Sequence, residues 1–445
     1  MKKLLKKILP PKLILQYHKF LGRYAAKKFD HPSNKLIVIG VTGTKGKSTT
    51  CNLIWHLLTQ AGFKVGMATT VNFRIADKHW LNDTKMTMLG RTKLQNMLSD
   101  MVEAGCQYAI IETSSEGIKQ FRHIGINYDM VVFTNLYPEH LDAHEGFENY
   151  KQAKLELFRH ASQSLLKEHD GKTIQKIAVV NADATDADQF IQAAQMGSKI
   201  IWSRKENVEA PINLQISSVV ETAEGVKFSI GEYEFNCNLH GAWNVENIVS
   251  AVSVCIAQGF SYPDIVAWLN NFPGVPGRME LIDAGQKFFV VVDYAYEPTS
   301  LGLLYDYWRK QVGLDKKMIT LISSTGGGRD VGRRATNGQV AAEKCDYVIV
   351  TDEDPYDDDP QEIIDQVAAG ALAVGKVENQ NMWRILDRTE AIVKACSLAL
   401  PGDVVFLTAK GAEQKMCVAK GKKIDWDDRK VVYRVIKQIL GEKAT

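Results

Sequence analysis

The stretch Gly40-Val41-Thr42-Gly43-Thr44-Lys45-Gly46-Lys47-Ser48-Thr49-Thr50 constrains this chain more than any other. An apolar run, Leu36-Ile37-Val38-Ile39, precedes it, and Cys51, Ile54, Leu57 and Leu58 follow at helical spacing. Strand, glycine loop and helix in that order describe a phosphate-binding loop. Gly43 and Gly46 let backbone amides approach a polyphosphate with no Cβ in the way, and the helix N-terminus adds partial positive charge. Residues Gly43, Thr44, Lys45, Gly46, Lys47, Ser48 and Thr49 are therefore the expected nucleotide contacts. Lys47 reaches the outer phosphates and the Ser48 hydroxyl ligates Mg²⁺. The spacing departs from the strict pattern, because Val41 stands five positions before Gly46 and the other glycines are at 40 and 43.

At 445 residues the chain is too long for one ordinary core, so two or three domains are expected. Its net charge of +2 is ordinary for a globular protein. The seven cysteines show no paired spacing, which predicts reduced, buried thiols in a cytoplasmic protein and neither a zinc ribbon nor a disulfide framework. Residues 1–29 carry nine Lys or Arg and no acid, interleaved with Leu and Ile. Their apolar runs are too short, and too broken by Pro10-Pro11 and Lys12, for a membrane span or a secretory signal. Two expectations stand for this basic amphipathic segment, taken as residues 1–34. It lies on an anionic membrane surface or grips a diphosphate, or it packs on the next domain with a solvated basic face.

Further along, Lys64 to Thr70 reads as a strand, a polar stretch reaches Met88, and a helix runs from about Thr92 to Ala104. Two more apolar strands end in Glu112-Thr113-Ser114-Ser115 and in Thr134-Asn135, the latter followed by His140. Strand C-terminal ends share one edge of a parallel sheet, so the glycine loop, Glu112 and His140 can meet in one crevice. A carboxylate and an imidazole there suit a metal bound to phosphates. Alternation between Pro211 and Asn238 predicts antiparallel hairpins, and a helix opens at Asn244-Val245-Glu246-Asn247. Pro273, Gly274, Pro276 and Gly277 punctuate a boundary, giving a central domain of residues 35–275 and a C-terminal one of residues 276–445. In the latter, strands at Phe288 to Val292, Met318 to Ile322, Tyr347 to Val350 and Val404 to Leu407 alternate with helices near Gly338 to Lys344, Pro360 to Ala369, Glu390 to Ala399 and Arg429 to Ile439. The fold class is α/β: a central, mostly parallel sheet with small antiparallel hairpins, then a Rossmann-like α/β domain.

Taken in order, these motifs resemble the Mur ligase family, most closely its MurE-type branch. The likeness also rests on Tyr150 with Ala153-Lys154, Gly277-Arg278-Met279-Glu280, Val292-Asp293-Tyr294-Ala295 and Asp427-Asp428-Arg429. It implies an ATP-dependent amide ligase, in which an acceptor carboxylate takes the γ-phosphate and the resulting acyl phosphate is attacked by an amino acid. ATP and Mg²⁺ are the implied cofactors, and a muramyl-peptide-like acceptor and an amino acid the implied small-molecule partners. A nucleic-acid partner is not expected, and a monomer is. By the same resemblance Ser48, Glu112 and His140 hold Mg²⁺, Asn247 contacts ATP, Arg278 closes on the γ-phosphate and Asp293 accepts from the ribose. Lys154 matches the lysine that CO₂ carbamylates into a metal ligand; without the resemblance it reads as a solvated surface lysine. Lys47, Lys154, His140 and Arg278 form the expected catalytic set. Thr87, Ser114 and Arg122 fall where the family holds its acceptor, and Arg334, Glu353, Asp354, Tyr356 and Glu413 where it holds the amino acid.

The sequence departs from that family in two ways that matter. About 35 residues precede the first strand, so the usual uridine-diphosphate domain is expected to be missing. Glu353-Asp354-Pro355-Tyr356 stands where diaminopimelate-using enzymes carry Asp-Asn-Pro-Arg, so the distal carboxylate of that substrate would lack its arginine. Lysine or another diamino acid is the expected substrate. The alternatives are a folylpolyglutamate synthetase-like or poly-amino-acid ligase, and a nucleotide-binding scaffold without catalysis.

Overall fold

Uninterrupted apolar runs in the first half of the chain become strands covered on both faces: every residue of Ile37–Thr42, Tyr108–Glu112 and Met130–Phe133 is buried. The computed structural model describes residues 11–139, 141–169, 171–206, 212–222, 224–329 and 331–441. His140 and the first ten residues lie outside them. The chain divides into two units, the first ending at Pro273 and the second beginning at Gly274.

In the first unit, helix α1 (Pro11–Lys28) leads to β1 (Ile37–Thr42), α2 (Lys47–Gln60), β2 (Val65–Ala68), β3 (Asn72–Ile75) and β4 (Lys78–Leu81). Next come α3 (Arg91–Glu103), β5 (Tyr108–Glu112), β6 (Met130–Phe133), α4 (Phe147–Ser162), β7 (Ile177–Asn181) and β8 (Ser198–Ser203). The unit continues with β9 (Leu214–Thr222), β10 (Gly225–Ile230), β11 (Tyr233–Cys237) and α5 (Asn244–Ala257). Its large sheet has the order β11-β10-β9-β8-β7-β6-β1-β5-β2-β3-β4. Neighbours from β9 to β2 are parallel, and beyond them both flanks turn antiparallel as hairpins.

Register fixes what shares the sheet edge. Val41 lies opposite Glu112 and Thr42 opposite Phe133, so the glycine loop, the end of β5 and the Thr134-Asn135 turn emerge side by side. Behind them Phe133 stacks on Phe190 at 3.7 Å in a core whose large apolar side chains each contribute about 1.5–3 kcal/mol by burial. Asp129, also fully buried, accepts from the Val38 amide at 2.8 Å and pairs with Lys167 and Lys176. Burial lowers the Lys167 pKa to about 8, against the pull of Asp129.

The second unit contains β12 (Glu280–Leu281), β13 (Phe289–Val292), α6 (Pro298–Val312), β14 (Met318–Ile322), α7 (Arg334–Lys344) and β15 (Tyr347–Val350). It closes with α8 (Pro360–Ala373), β16 (Met382–Arg384), α9 (Arg388–Leu398), β17 (Val404–Leu407) and α10 (Asp428–Ile439). The sheet order is β12-β13-β17-β14-β15-β16, parallel except at β12.

Two features differ from the sequence expectation. The polar stretch before Met88 contains the β3–β4 hairpin, whose outer strand is largely solvated and so carries no apolar run. Helix α6 is an addition; Pro298 opens it, the Glu297 side chain caps it through the Ser300 amide, and Leu301, Leu304, Tyr305 and Trp308 supply its buried face. Asp357 and Asp359 are exposed and Asp358 is half-buried; Asp358 lies 3.6 Å from Arg334, Asp359 caps α8, and Asp357 accepts from the Lys420 amide. All seven cysteines are free and buried. Among the described residues no helix is long and apolar enough to cross a membrane.

Candidate active site

The glycine loop is built by close approach. Gly43 has φ 152° and Gly46 has φ 78°, and a Cβ on either would fall 1.9 Å from a neighbour, Thr134 Oγ1 and Asn247 Oδ1 respectively. Only glycine fits both positions. The loop is then tied down by the next strand end: the Lys45 amide donates to Asn135 Oδ1 at 2.8 Å, and Thr134 Oγ1 donates to the Lys45 carbonyl at 2.8 Å. Tyr150 donates its hydroxyl to Thr44 Oγ1 at 2.9 Å, while Lys45 lies 6.0 Å from the Tyr137 ring centre. Gly46 precedes the 14-residue α2, so its free amides and dipole face the loop. Lys47 Nζ donates back to the Thr44 carbonyl at 2.7 Å, and Thr49 is buried in the first turn. Asn247, in the first turn of α5, accepts from Thr50 Oγ1 at 3.4 Å and donates to Asn244 Oδ1 at 2.8 Å.

Below the loop lies a carboxylate. Ser48 Oγ donates to Glu112 Oε2 at 2.7 Å, and the Thr70 amide donates to the same oxygen at 2.8 Å. Thr70 Oγ1 also lies 2.9 Å from both Glu112 Oε1 and Thr87 Oγ1, so Thr70 links the carboxylate to the expected acceptor residue. Thr70 was not foreseen, since a threonine after a strand carries no signal of its own. Beside Thr87, Arg122 donates to the Met88 carbonyl and to Gln120 Oε1, and Ser114 caps the short helix Ser115–Lys119.

Lys154 corrects the unaided reading of a solvated side chain: it is 1% exposed. Its Nζ donates to the Gly43 carbonyl at 2.6 Å and stands 4.4 Å from the Tyr150 ring centre. Burial, and then the nearby Lys47 charge, push its pKa well below the ordinary lysine value.

The second unit gathers its own loops at the C-terminal edge of its sheet. Asp293, just past β13, accepts from the Met279 amide at 2.6 Å and from the Ala295 amide at 2.7 Å, and burial raises its pKa. The Arg278 guanidinium lies 4.3 Å from the Tyr294 ring centre, and Tyr294 in turn meets Glu413 at 3.4 Å. Lys410, fully buried, donates to Asp354 at 3.1 Å and Glu413 at 2.8 Å. Asp354 is thus a paired charge, and it also accepts from the Cys417 amide at 2.7 Å. Glu353 accepts from Ser323 at 3.0 Å and Thr325 at 2.9 Å, and burial followed by repulsion from Asp354 raises its pKa. Tyr356 holds φ 54° and faces Arg329 at 5.1 Å, and Arg334 is buried against Gln366 and the Thr325 carbonyl. Lys410 and Arg388, which grips Asp428 with two nitrogens at 2.8 and 2.7 Å, organise this cluster and were missed as organisers. The Lys-Gly-Ala-Glu spacing was the available signal for Lys410.

Residues 41–255 match the Mur ligase middle domain, and residues 277–411 match the Mur ligase, glutamate ligase domain. A UDP-N-acetylmuramyl-tripeptide synthetase from Roseiflexus sp. (strain RS-1) is 36% identical over 428 residues, covering 94% of this chain and 82% of that protein. The chain belongs to the Mur ligase family. It is accordingly an enzyme of the ligase class. Another relative of this Mur ligase is the UDP-N-acetylmuramoyl-L-alanyl-D-glutamate–2,6-diaminopimelate ligase of Geobacillus kaustophilus (strain HTA426), 32% identical over 96% of this chain and 84% of its own. A solved structure of a ligase of that same name superposes with a TM-score of 0.62 at 27% identity, over 98% of this chain and 84% of that one. The α/β architecture expected from the sequence is therefore that of the family.

Proposed function

We propose that this Mur ligase joins an amino acid to the carboxylate of a muramyl-peptide acceptor in peptidoglycan precursor synthesis, converting ATP to ADP and phosphate. The observation that carries the reading is the Ser48–Glu112 contact beneath a glycine loop that no residue with a Cβ could form. Relatives named as tripeptide synthetases and diaminopimelate ligases support the substrate class.

The residues divide the work by their chemistry. Amides of Gly43 to Thr49 and the α2 N-terminus bind the polyphosphate, and Lys47 swings from the Thr44 carbonyl to its outer oxygens. Asn247 fixes the loop from α5. In the second unit Asp293 receives ribose hydroxyls, and Arg278, oriented by the Tyr294 ring, supplies positive charge to the transferred phosphoryl group. The acceptor oxygen displaces ADP from the γ-phosphorus; the amine then attacks the acyl carbon, loses a proton, and inorganic phosphate departs. Thr87, Ser114 and Arg122 are proposed to hold the acceptor.

Ser48 and Glu112 are hard oxygen donors and fit Mg²⁺, with His140 assigned beside them by the family motif. When bound, that ion neutralises phosphate charge during transfer. As an amine, Lys154 does not fit a metal shell. Its depressed pKa favours the neutral form that adds to CO₂, giving an anionic carbamate and a released proton, and the carbamate does fit.

For the amino acid, the proposal is a diamino acid such as lysine. Tyr356 offers no cation to a distal carboxylate, and a substrate ammonium would further offset the charge of Glu353, which Ser323 and Thr325 bond and which Lys410 and Arg388 already attract. Buried free thiols and the ATP requirement suit the cytoplasm.

The test is phosphate release from ATP with Mg²⁺, bicarbonate and UDP-MurNAc-L-Ala-D-Glu, against lysine, ornithine, diaminopimelate and glutamate. Release that requires the nucleotide dipeptide and one diamino acid is expected. Turnover only on a folate or a free peptide would assign the chain to the other ligase branch, and ATP binding with no turnover would make it a scaffold.

A further inference from the structure

The outer face of α1 presents Leu13, Tyr17, Phe20 and Tyr24 at spacings of four, three and four residues, which places them in one stripe along the helix. They are 50, 57, 62 and 57% exposed. This is not a loosely docked helix with its core face turned out. Its inner face is made of Gly22, Ala25 and Ala26, all buried, and it is seated closely. A Cβ on Gly22 would come within 2.9 Å of the Ile124 carbonyl, and one on Gly125 within 2.8 Å of Ala26 Cβ. Small residues hold the helix to the unit while large apolar ones face outward, the reverse of what burial alone would select.

Charge accompanies the stripe. Lys19, Arg23, Lys27 and Lys28 are exposed on the same helix, Lys93 is exposed in the first turn of α3, and no acid occurs anywhere in residues 1–29. Lys27 and Lys28 also complement the helix C-terminus, but Lys19 and Arg23 do not need that explanation. A further four lysines precede α1 in the sequence.

We propose that this face of α1 docks on an anionic lipid surface, with Leu13, Tyr17, Phe20 and Tyr24 entering the interface and the lysines and Arg23 meeting the headgroups. An aliphatic and three aromatic side chains in a row, flanked by cations, match the boundary between acyl chains and charged headgroups. A second copy of the chain is a poorer occupant, since a two-fold pairing of this face would set its cations against themselves. A single-stranded nucleic acid would need open aromatic faces, whereas Phe20 and Tyr24 stack on each other at 6.2 Å and 22°. The ligase reading is not assumed here, because partition onto lipid is read without turnover.

The experiment is co-sedimentation of the full chain with vesicles of phosphatidylcholine alone or of phosphatidylcholine and phosphatidylglycerol in equal parts, at low and high salt. Binding to the anionic vesicles only, weakened by salt, is expected. Phe20→Ser with Tyr24→Ser, and separately Lys27→Glu with Lys28→Glu, should each reduce partition by roughly tenfold or more with the urea unfolding midpoint unchanged. A Phe20→Trp chain should shift its emission to the blue on the anionic vesicles, which reads insertion without relying on a loss. Failure to bind, equal binding to neutral vesicles, or variants that partition like the parent would overturn the proposal. So would self-association, or oligonucleotide binding, abolished by the Phe20 and Tyr24 changes.

Discussion

Ser48 Oγ and Glu112 Oε2 meet at 2.7 Å although 64 residues separate them in the chain. Two adjacent parallel strands produce this contact: β1 delivers the glycine loop and β5 delivers the carboxylate to the same sheet edge. Glu112→Gln keeps the shape and an acceptor for Ser48 but removes the charge. ATP-dependent phosphate release should fall by about 100-fold or more, with the Mg²⁺ requirement moved to higher concentration. A Mg²⁺ titration superimposable on that of the parent would remove Glu112 from the metal site.

Gly46 and Asn247 make the second tight contact of the loop. With φ at 78° and a Cβ position 1.9 Å from Asn247 Oδ1, Gly46→Ala should cost about 1–3 kcal/mol of stability and weaken ATP binding. Adding Asn247→Ala relieves the clash, so part of the stability should return in urea unfolding. Nucleotide affinity, measured by calorimetry, should stay low, because Asn247 itself is proposed to serve the nucleotide.

Lys154 gives a prediction with a defined sign. Its folded-state pKa is lowered, so the amine is neutral over a range where a free lysine is charged. Protein equilibrated with ¹³C-bicarbonate should show a carbamate resonance that Lys154→Arg lacks. As pH falls through the lowered pKa, protonation removes the nucleophile, and resonance and activity should decline together on the acid side. Full activity in bicarbonate-free buffer with no resonance would argue that the amine itself suffices.

Asp129 tests the scaffold rather than the chemistry. It pairs with both Lys167 and Lys176 in the core of the first unit, so Asp129→Asn should destabilise by about 3–5 kcal/mol near neutral pH. The Lys167 pKa of about 8 lies below the unfolded value of about 10.4, so between them the unfolded state binds more protons and stability rises with pH. Without the carboxylate the folded pKa drops further and that rise starts earlier. The gap between variant and parent in urea midpoints should therefore narrow as pH is raised from about 6 to about 8.

What could be read from the residues alone was whatever contiguous chemistry encodes. The glycine loop, the apolar strands and the α/β alternation are local patterns, and the family motifs repeat them in order; each specifies a neighbour within a few residues. Glu112 was legible because a carboxylate ending a buried strand in a parallel sheet has one place to go. Thr70 and Asn135 were not legible as organisers, since each acts on a residue that the sheets bring to it, and of the two carboxylates that Lys410 pairs only Glu413 lies in its own loop. Lys154 shows the limit most clearly. On a helix a lysine is ordinarily solvated, and only the packing of α4 beneath the glycine loop buries its amine against Gly43 and beside Lys47, where low polarity and a like charge lower its pKa. The direction in which α1 faces was decided in the same way. Its sequence holds both aromatic and small residues, and the close seat of Gly22 on Ile124 determined which of them the protein keeps inside.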